Sequence, residues 1–151
     1  VAVNDLIGNG IAVTLHELVY RIDAFAEKLM REQHGVSYSH YHFLAVASTL
    51  DAPDVTTLAE CLAVSKAAVS KRLDPLAGDG WITLGSDPDH ARRVIIRLTP
   101  KAVQLVTDAT AMLEREFTDA LGELPPGEVD HLNGRLRVLL DIFLRKELNP
   151  A

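Results

Sequence analysis

At 151 residues and 48% hydrophobic, the chain can bury one ordinary core and shows none of the biases of fibrous, disordered or disulfide-stapled proteins. Its formal charge is −6, from 15 bases against 21 acids, which excludes a protein that coats nucleic acid through net charge alone. A single cysteine excludes an internal disulfide, and there is neither an apolar run of membrane length nor an export signal, so a cytoplasmic location and no membrane partner are expected.

Residues 1–10 read as a short, glycine-punctuated lead-in. From residue 11 to about 33, Leu15, Leu18, Ile22, Phe25, Ala26 and Leu29 recur at spacings of three and four, the period of an amphipathic helix. Val19 widens that stripe, and Gly35 breaks it. Ser39 is placed to cap a second helix carrying Tyr41, Phe43, Leu44, Val46, Ala47 and Leu50. Asp51-Ala52-Pro53-Asp54 is turn material. Leu58, Ala59, Leu62 and Val64 then give a short apolar face that ends near Ala63, and Ser65 can cap the next helix. In it Val69, Leu73 and Leu76 fall at i, i+4 and i+7, facing a core, while Lys66, Ser70 and Lys71 lie elsewhere around the cylinder. Gly78 and Gly80 end this element. Residues 81–84 and 94–98 are β-prone, and Gly85-Ser86-Asp87-Pro88-Asp89 between them is a strong turn signal. Pro100 suits a first helical turn, and residues 101–121 present Val103, Val106, Ala109, Leu113 and Phe117. Gly122 and Pro125-Pro126-Gly127 interrupt, and a last helix over residues 128–148 carries Leu132, Leu136, Leu139, Leu140, Phe143, Leu144 and Leu148.

The centre of this pattern is a helix-turn-helix followed by a hairpin wing, with the second helix sized for a major groove. Residues 65–98 hold six bases and four acids, so the weakly basic stretch sits within an otherwise acidic chain. Three long helices outside so small a unit would leave apolar surface bare, and a two-fold dimer through Leu136, Leu139, Leu140, Phe143 and Leu144 and the first and fifth helices would cover it. The bland alternative folds the tail back as a third layer on its own domain.

The stretches LAECLAVSKAAVSKRLDPLAGDGWI and DPDHARRVIIRLTPKA resemble the MarR family of winged helix-turn-helix transcriptional regulators in residue type and spacing, and length and element order match across nearly the whole chain. The resemblance implies a mainly α fold: one domain over residues 1–151, with the winged helix-turn-helix at 36–99 and a dimerisation region at 11–34 and 100–148. It further implies a homodimeric repressor of a palindromic double-stranded DNA operator, released by a small aromatic or phenolic effector, with no catalysis and no cofactor. Implied DNA contacts are Ser65, Lys66, Ser70 and Lys71 on the second helix and Arg92 and Arg93 on the wing, with Arg92 at the minor groove. Tyr20, Tyr38, His42 and Phe43 fall where relatives hold effectors.

Each of these has a bland counterpart: solvated helix surface for the lysines and Ser70, a cap for Ser65, a polar hairpin tip for the arginines. Pro75, Thr83, Leu84 and the weak charge balance favour a rival, an interaction or anti-repressor module with a degenerate DNA head. His90 stands where relatives carry an acid, Thr83 and Leu84 stand where they often carry bases, and Pro75 lies inside the second helix. Pro75 is expected to kink that helix or stop it a turn early. No metal site is expected, since His40 and His42 diverge on one helix and His16, His34, His90 and His131 form no ligand spacing. Cys61 reads as a small, half-buried helix residue. Nothing supports a hydrolase or metalloenzyme.

Overall fold

The computed structural model describes residues 10–90 and 93–148. Their elements run α1 (Ile11–His34), α2 (Tyr38–Ser48), α3 (Val55–Leu62), α4 (Lys66–Gly78), β1 (Ile82–Ser86), β2 (Val94–Leu98), α5 (Pro100–Leu121) and α6 (Glu128–Leu148). The fold is mainly α, a winged helix-turn-helix flanked by long helices. The chain divides into a compact unit through Leu113 and a second from Glu114.

In the first unit each helix starts and stops where a side chain or a left-handed residue satisfies its free backbone groups. Gly35 (φ 70°) ends α1, its N–H donating to the Arg31 carbonyl at 3.2 Å. Ser37, not Ser39, caps α2: its hydroxyl accepts the His40 N–H at 3.0 Å, and Glu27 Oε2 takes the Tyr38 N–H at 2.6 Å. With those donors satisfied the helix starts before Ser39, whose hydroxyl and carbonyl serve Arg72 instead. Asp54 caps α3 through the Thr57 N–H at 2.8 Å. The helix-turn-helix corner is closed by Ala63 at φ 53°, with the Val64 N–H reaching the Ala59 carbonyl at 3.0 Å.

Pro75 does not stop α4 early. The helix continues to Gly78 and closes with the Trp81 N–H on the Leu76 carbonyl at 2.9 Å, across Gly80 at φ 76°. The wing is antiparallel, pairing Ile82 with Leu98 through to Ser86 with Val94. Gly85 and Ser86 thus belong to β1 rather than to the turn. On its other side β2 meets the segment before α3: the Ile96 N–H donates to the Pro53 carbonyl at 2.9 Å, and Asp54 bridges Ile95. The core gathers Met30, Phe43, Leu44, Leu58, Val69, Ile82 and Ile96, all fully buried, with Ala102, Leu105, Ala109 and Met112 of α5. Tyr41 Oη and Thr110 Oγ1 share a 2.8 Å hydrogen bond within it.

In the second unit Gly122 closes on the Thr118 carbonyl at 2.9 Å, and Gly127 (φ 85°) leads into α6. Glu128 and Asp130 in the first turn and Arg145 and Lys146 in the last complement the helix dipole. No residue of α6 is buried in the single chain.

Candidate functional site

The row Val69, Leu73 and Leu76 is buried and holds α4 against the core. Ser65, Lys66, Ser70 and Lys71, at the start of the same helix, are all exposed. The Ser65 hydroxyl accepts the Ala68 N–H at 3.1 Å, so it is first a cap. Two cations and two hydroxyls therefore stand at the first turns of a helix whose N-terminal dipole also favours a phosphate.

The remaining bases of this region divide by their partners. Arg72 is half-buried: its guanidinium carbon lies 4.6 Å from the Phe43 ring centroid, and it donates to the Ser39 carbonyl at 2.9 Å and hydroxyl at 3.2 Å. It ties α4 to α2 instead of facing solvent. Arg93 donates through Nε to Asp54 Oδ2 at 2.7 Å, with Nη2 at 2.6 Å from the same oxygen. Arg92 lies outside the described residues. Arg97, exposed on β2 opposite Thr83, was not singled out by the sequence, although alternation along the strand puts it on the face away from Ile96.

The four aromatic positions behave differently from one another. Phe43 is fully buried and His42 exposed, and both line a cavity of about 120 Å³ with Ser39, Leu62, Val64, Ala68, Val69 and Arg72. Tyr38 stacks on His42 at 5.9 Å between centroids, while Tyr20 is exposed on α1 beside Arg21 and lines no part of that cavity. Leu136 and Leu139 are half-exposed and Leu140, Phe143 and Leu144 exposed. Cys61 is exposed, not half-buried. Among the described residues no group of three or more His, Cys, Asp or Glu could hold a metal ion, and no helix is long and apolar enough to cross a membrane.

His40 is a polar group that the sequence did not single out as buried. Its Nε2 is enclosed without a hydrogen-bond partner, and its ring meets Trp81 edge-on at 4.9 Å. Burial, then the nearby Arg72 cation and to a lesser degree Lys101, hold its pKa below the ordinary 6.5, against an opposing pull from Asp79. The folded state therefore keeps His40 neutral where the unfolded chain takes up a proton. Its contribution to stability is complete above pH 6.5, and is lost as pH falls from there towards the depressed folded value. Urea unfolding at pH 8 and pH 5.5 should show a loss on acidification that shrinks in His40→Gln. An equal loss in both proteins would assign the effect elsewhere.

A model of the MarR family matches residues 34–93, which span α2, the helix-turn-helix and β1 and end before β2. Solved structures share the fold across most of their length. The wild-type apo MarR of E. coli superposes with a TM-score of 0.76 at 17% identity, covering 87% of this chain and 97% of its own. The S. aureus MepR–DNA complex gives 0.74 at 19% identity, covering 89% of this chain and 98% of its own. Streptococcus pneumoniae FabT in complex with DNA gives 0.78 at 16%, covering 89% and 96%. No curated protein matches the chain.

Proposed function

We propose that this chain, whose residues 34–93 match a model of the MarR family, is a homodimeric, sequence-specific DNA-binding transcriptional regulator that acts as a repressor. The observation that carries this reading is the exposed row Ser65, Lys66, Ser70 and Lys71 at the capped end of α4. A helix so presented enters a major groove with its first turns at the base edges. Arg92 keeps the minor-groove role that the family resemblance implies. Two similar proteins, MepR and FabT, have structures with DNA.

The dimer is supported by the exposed apolar residues of α1 and α6, among them Leu18, Val19, Tyr20, Leu140, Phe143 and Leu144. Two-fold symmetry then asks for a palindromic operator with half-sites about one helical turn apart. Release by a small aromatic or phenolic ligand is supported by the cavity beside His42, Phe43 and Arg72. Its volume of about 120 Å³ admits no more than one ring. The rival, a degenerate head serving protein contacts, is favoured by the internal partners of Arg72 and Arg93.

Fluorescence anisotropy on a labelled upstream duplex and a shuffled control separates the two. A regulator should prefer the upstream duplex, with log K falling against log salt at a slope of about −4 to −7, from roughly four to eight phosphate contacts. Lys71→Ala should narrow the preference between the duplexes by roughly tenfold per contact, because a lysine is less constrained than a bidentate pair and falls towards the low end of the range of about 1–3 kcal/mol for a good base readout. Failure of the intact dimer to bind either duplex at the lowest salt would hand the function to the interaction module. An unchanged preference in Lys71→Ala would mean that another turn of α4 reads the groove.

A further inference from the structure

The guanidinium of Arg93 and the carboxylate of Asp54 are 39 residues apart in sequence and in direct contact. Asp54 is buried, and both of its oxygens are used. Oδ1 caps α3 by accepting the Thr57 N–H at 2.8 Å, and Oδ2 receives Arg93 Nε at 2.7 Å and Nη2 at 2.6 Å. On its third nitrogen Arg93 faces Asp87 Oδ2 at 3.7 Å, where the loop leaves β1. That loop is tied on its own account, with Asp87 Oδ1 accepting the Asp89 N–H at 2.9 Å and the Arg93 N–H donating to the His90 carbonyl at 2.8 Å. One arginine thus touches the first turn of α3 and both ends of the wing loop. Beside it, the Ile96–Pro53 hydrogen bond lays β2 along the same segment.

We propose that Arg93 is a positioning residue for DNA binding: through Asp54 it fixes the wing to the N-terminus of α3, and it makes no contact with phosphate. The proposal rests on the DNA-binding reading above and departs, for this one residue, from the contact that the family resemblance implies. A cation meant for phosphate gains by standing free in solvent until DNA arrives. Arg93 instead has a buried anion against it, and leaving that anion would strand Asp54's charge without its partner. A charge-assisted contact with two donors on one oxygen also constrains the direction of the guanidinium, as a screened surface pair does not. The wing is a two-stranded ribbon, which has little stability of its own, so its angle to α4 depends on such attachments.

The two roles predict opposite signs for a change at Asp54. Asp54→Ser keeps an N-cap hydroxyl but removes the anion. If Arg93 positions the wing, Asp54→Ser and Arg93→Gln each weaken duplex binding by roughly tenfold, the double variant is no worse than either, and the salt slope stays at the wild-type value. If Arg93 is instead a phosphate contact held back by Asp54, Asp54→Ser tightens binding, and Arg93→Gln reduces the slope by about 0.9 per head, or about 1.8 per dimer. That second pattern overturns the proposal. Urea unfolding of the same four proteins tests the attachment without DNA. The two single effects on the unfolding constant should fail to multiply, with a shortfall of roughly tenfold in the double variant. If the wild-type dimer binds no duplex, the DNA reading fails by itself, and an undiminished unfolding shortfall shows the clamp to be real but structural, which also overturns the positioning role. Independent effects in unfolding remove the clamp altogether.

Discussion

Replacing Leu140 and Phe143 together by Asp is expected to convert the protein from twice the 16.5 kDa chain mass to a single chain in sedimentation at tens of micromolar. Both side chains are 58% exposed in the isolated chain, and α6 buries none of its 21 residues there. A helix with seven large apolar side chains exposed along one chain needs a surface to cover it. In the proposed dimer a second copy would supply that surface through a two-fold axis, placing each exposed row against its own counterpart. Removing a buried Leu or Phe from such an interface costs about 2–5 kcal/mol, and a desolvated carboxylate adds to it. Two such changes per chain count four times in the dimer, enough to exceed the free energy of a micromolar association, about 8 kcal/mol. The first unit has its own core, so the Trp81 fluorescence and helical signal of the variant should persist. A variant that remains dimeric would place the interface elsewhere, and a monomeric wild type would remove the two-fold arrangement.

How far the chain could be read in advance differs from element to element. The register of α4 was legible because Val69, Leu73 and Leu76 repeat at helical spacing, and their burial fixes where Lys66, Ser70 and Lys71 point. Ser65 was legible as a cap for a similarly local reason, the hydroxyl reaching three residues ahead. The start of α2 was not. Ser37 and Ser39 offer the same chemistry two residues apart, and the choice is settled by Glu27, from another helix, on the Tyr38 N–H. Asp54 was read as part of a turn, because a carboxylate before Val-Thr-Thr suits either a turn or a cap until the helix is seen. In sequence Arg72 is one of six bases in residues 65–98 and Arg93 an implied DNA contact, and nothing near them reveals Phe43 and Ser39, or Asp54, as their partners. Local signals set the elements, and contacts between distant segments decided which cations remained for a ligand.

Phe43→Ala should lower the stability of the first unit by about 3–5 kcal/mol, the range for removing a buried aromatic ring. Phe43 heads the fully buried side chains by size and sits in the main cluster with Leu58 and Val69. Its ring borders the open 120 Å³ pocket, which truncation would deepen into the core. A second loss is specific to this position. The Arg72 guanidinium rests on the ring face at 4.6 Å, and such a contact is worth about 0.5–2 kcal/mol as it becomes desolvated. Phe43→Leu separates the two terms, since leucine keeps much of the volume and offers no ring face to the cation. Urea unfolding followed through Trp81 should therefore order the proteins wild type, Phe43→Leu, Phe43→Ala, with the leucine variant nearer the wild type. Arg72 is the side chain through which α4 is tied to Ser39 of α2, so both variants should also weaken the proposed DNA binding under conditions where they remain folded. A loss of less than about 1 kcal/mol in Phe43→Ala would show that the ring is not the floor on which α4 is set.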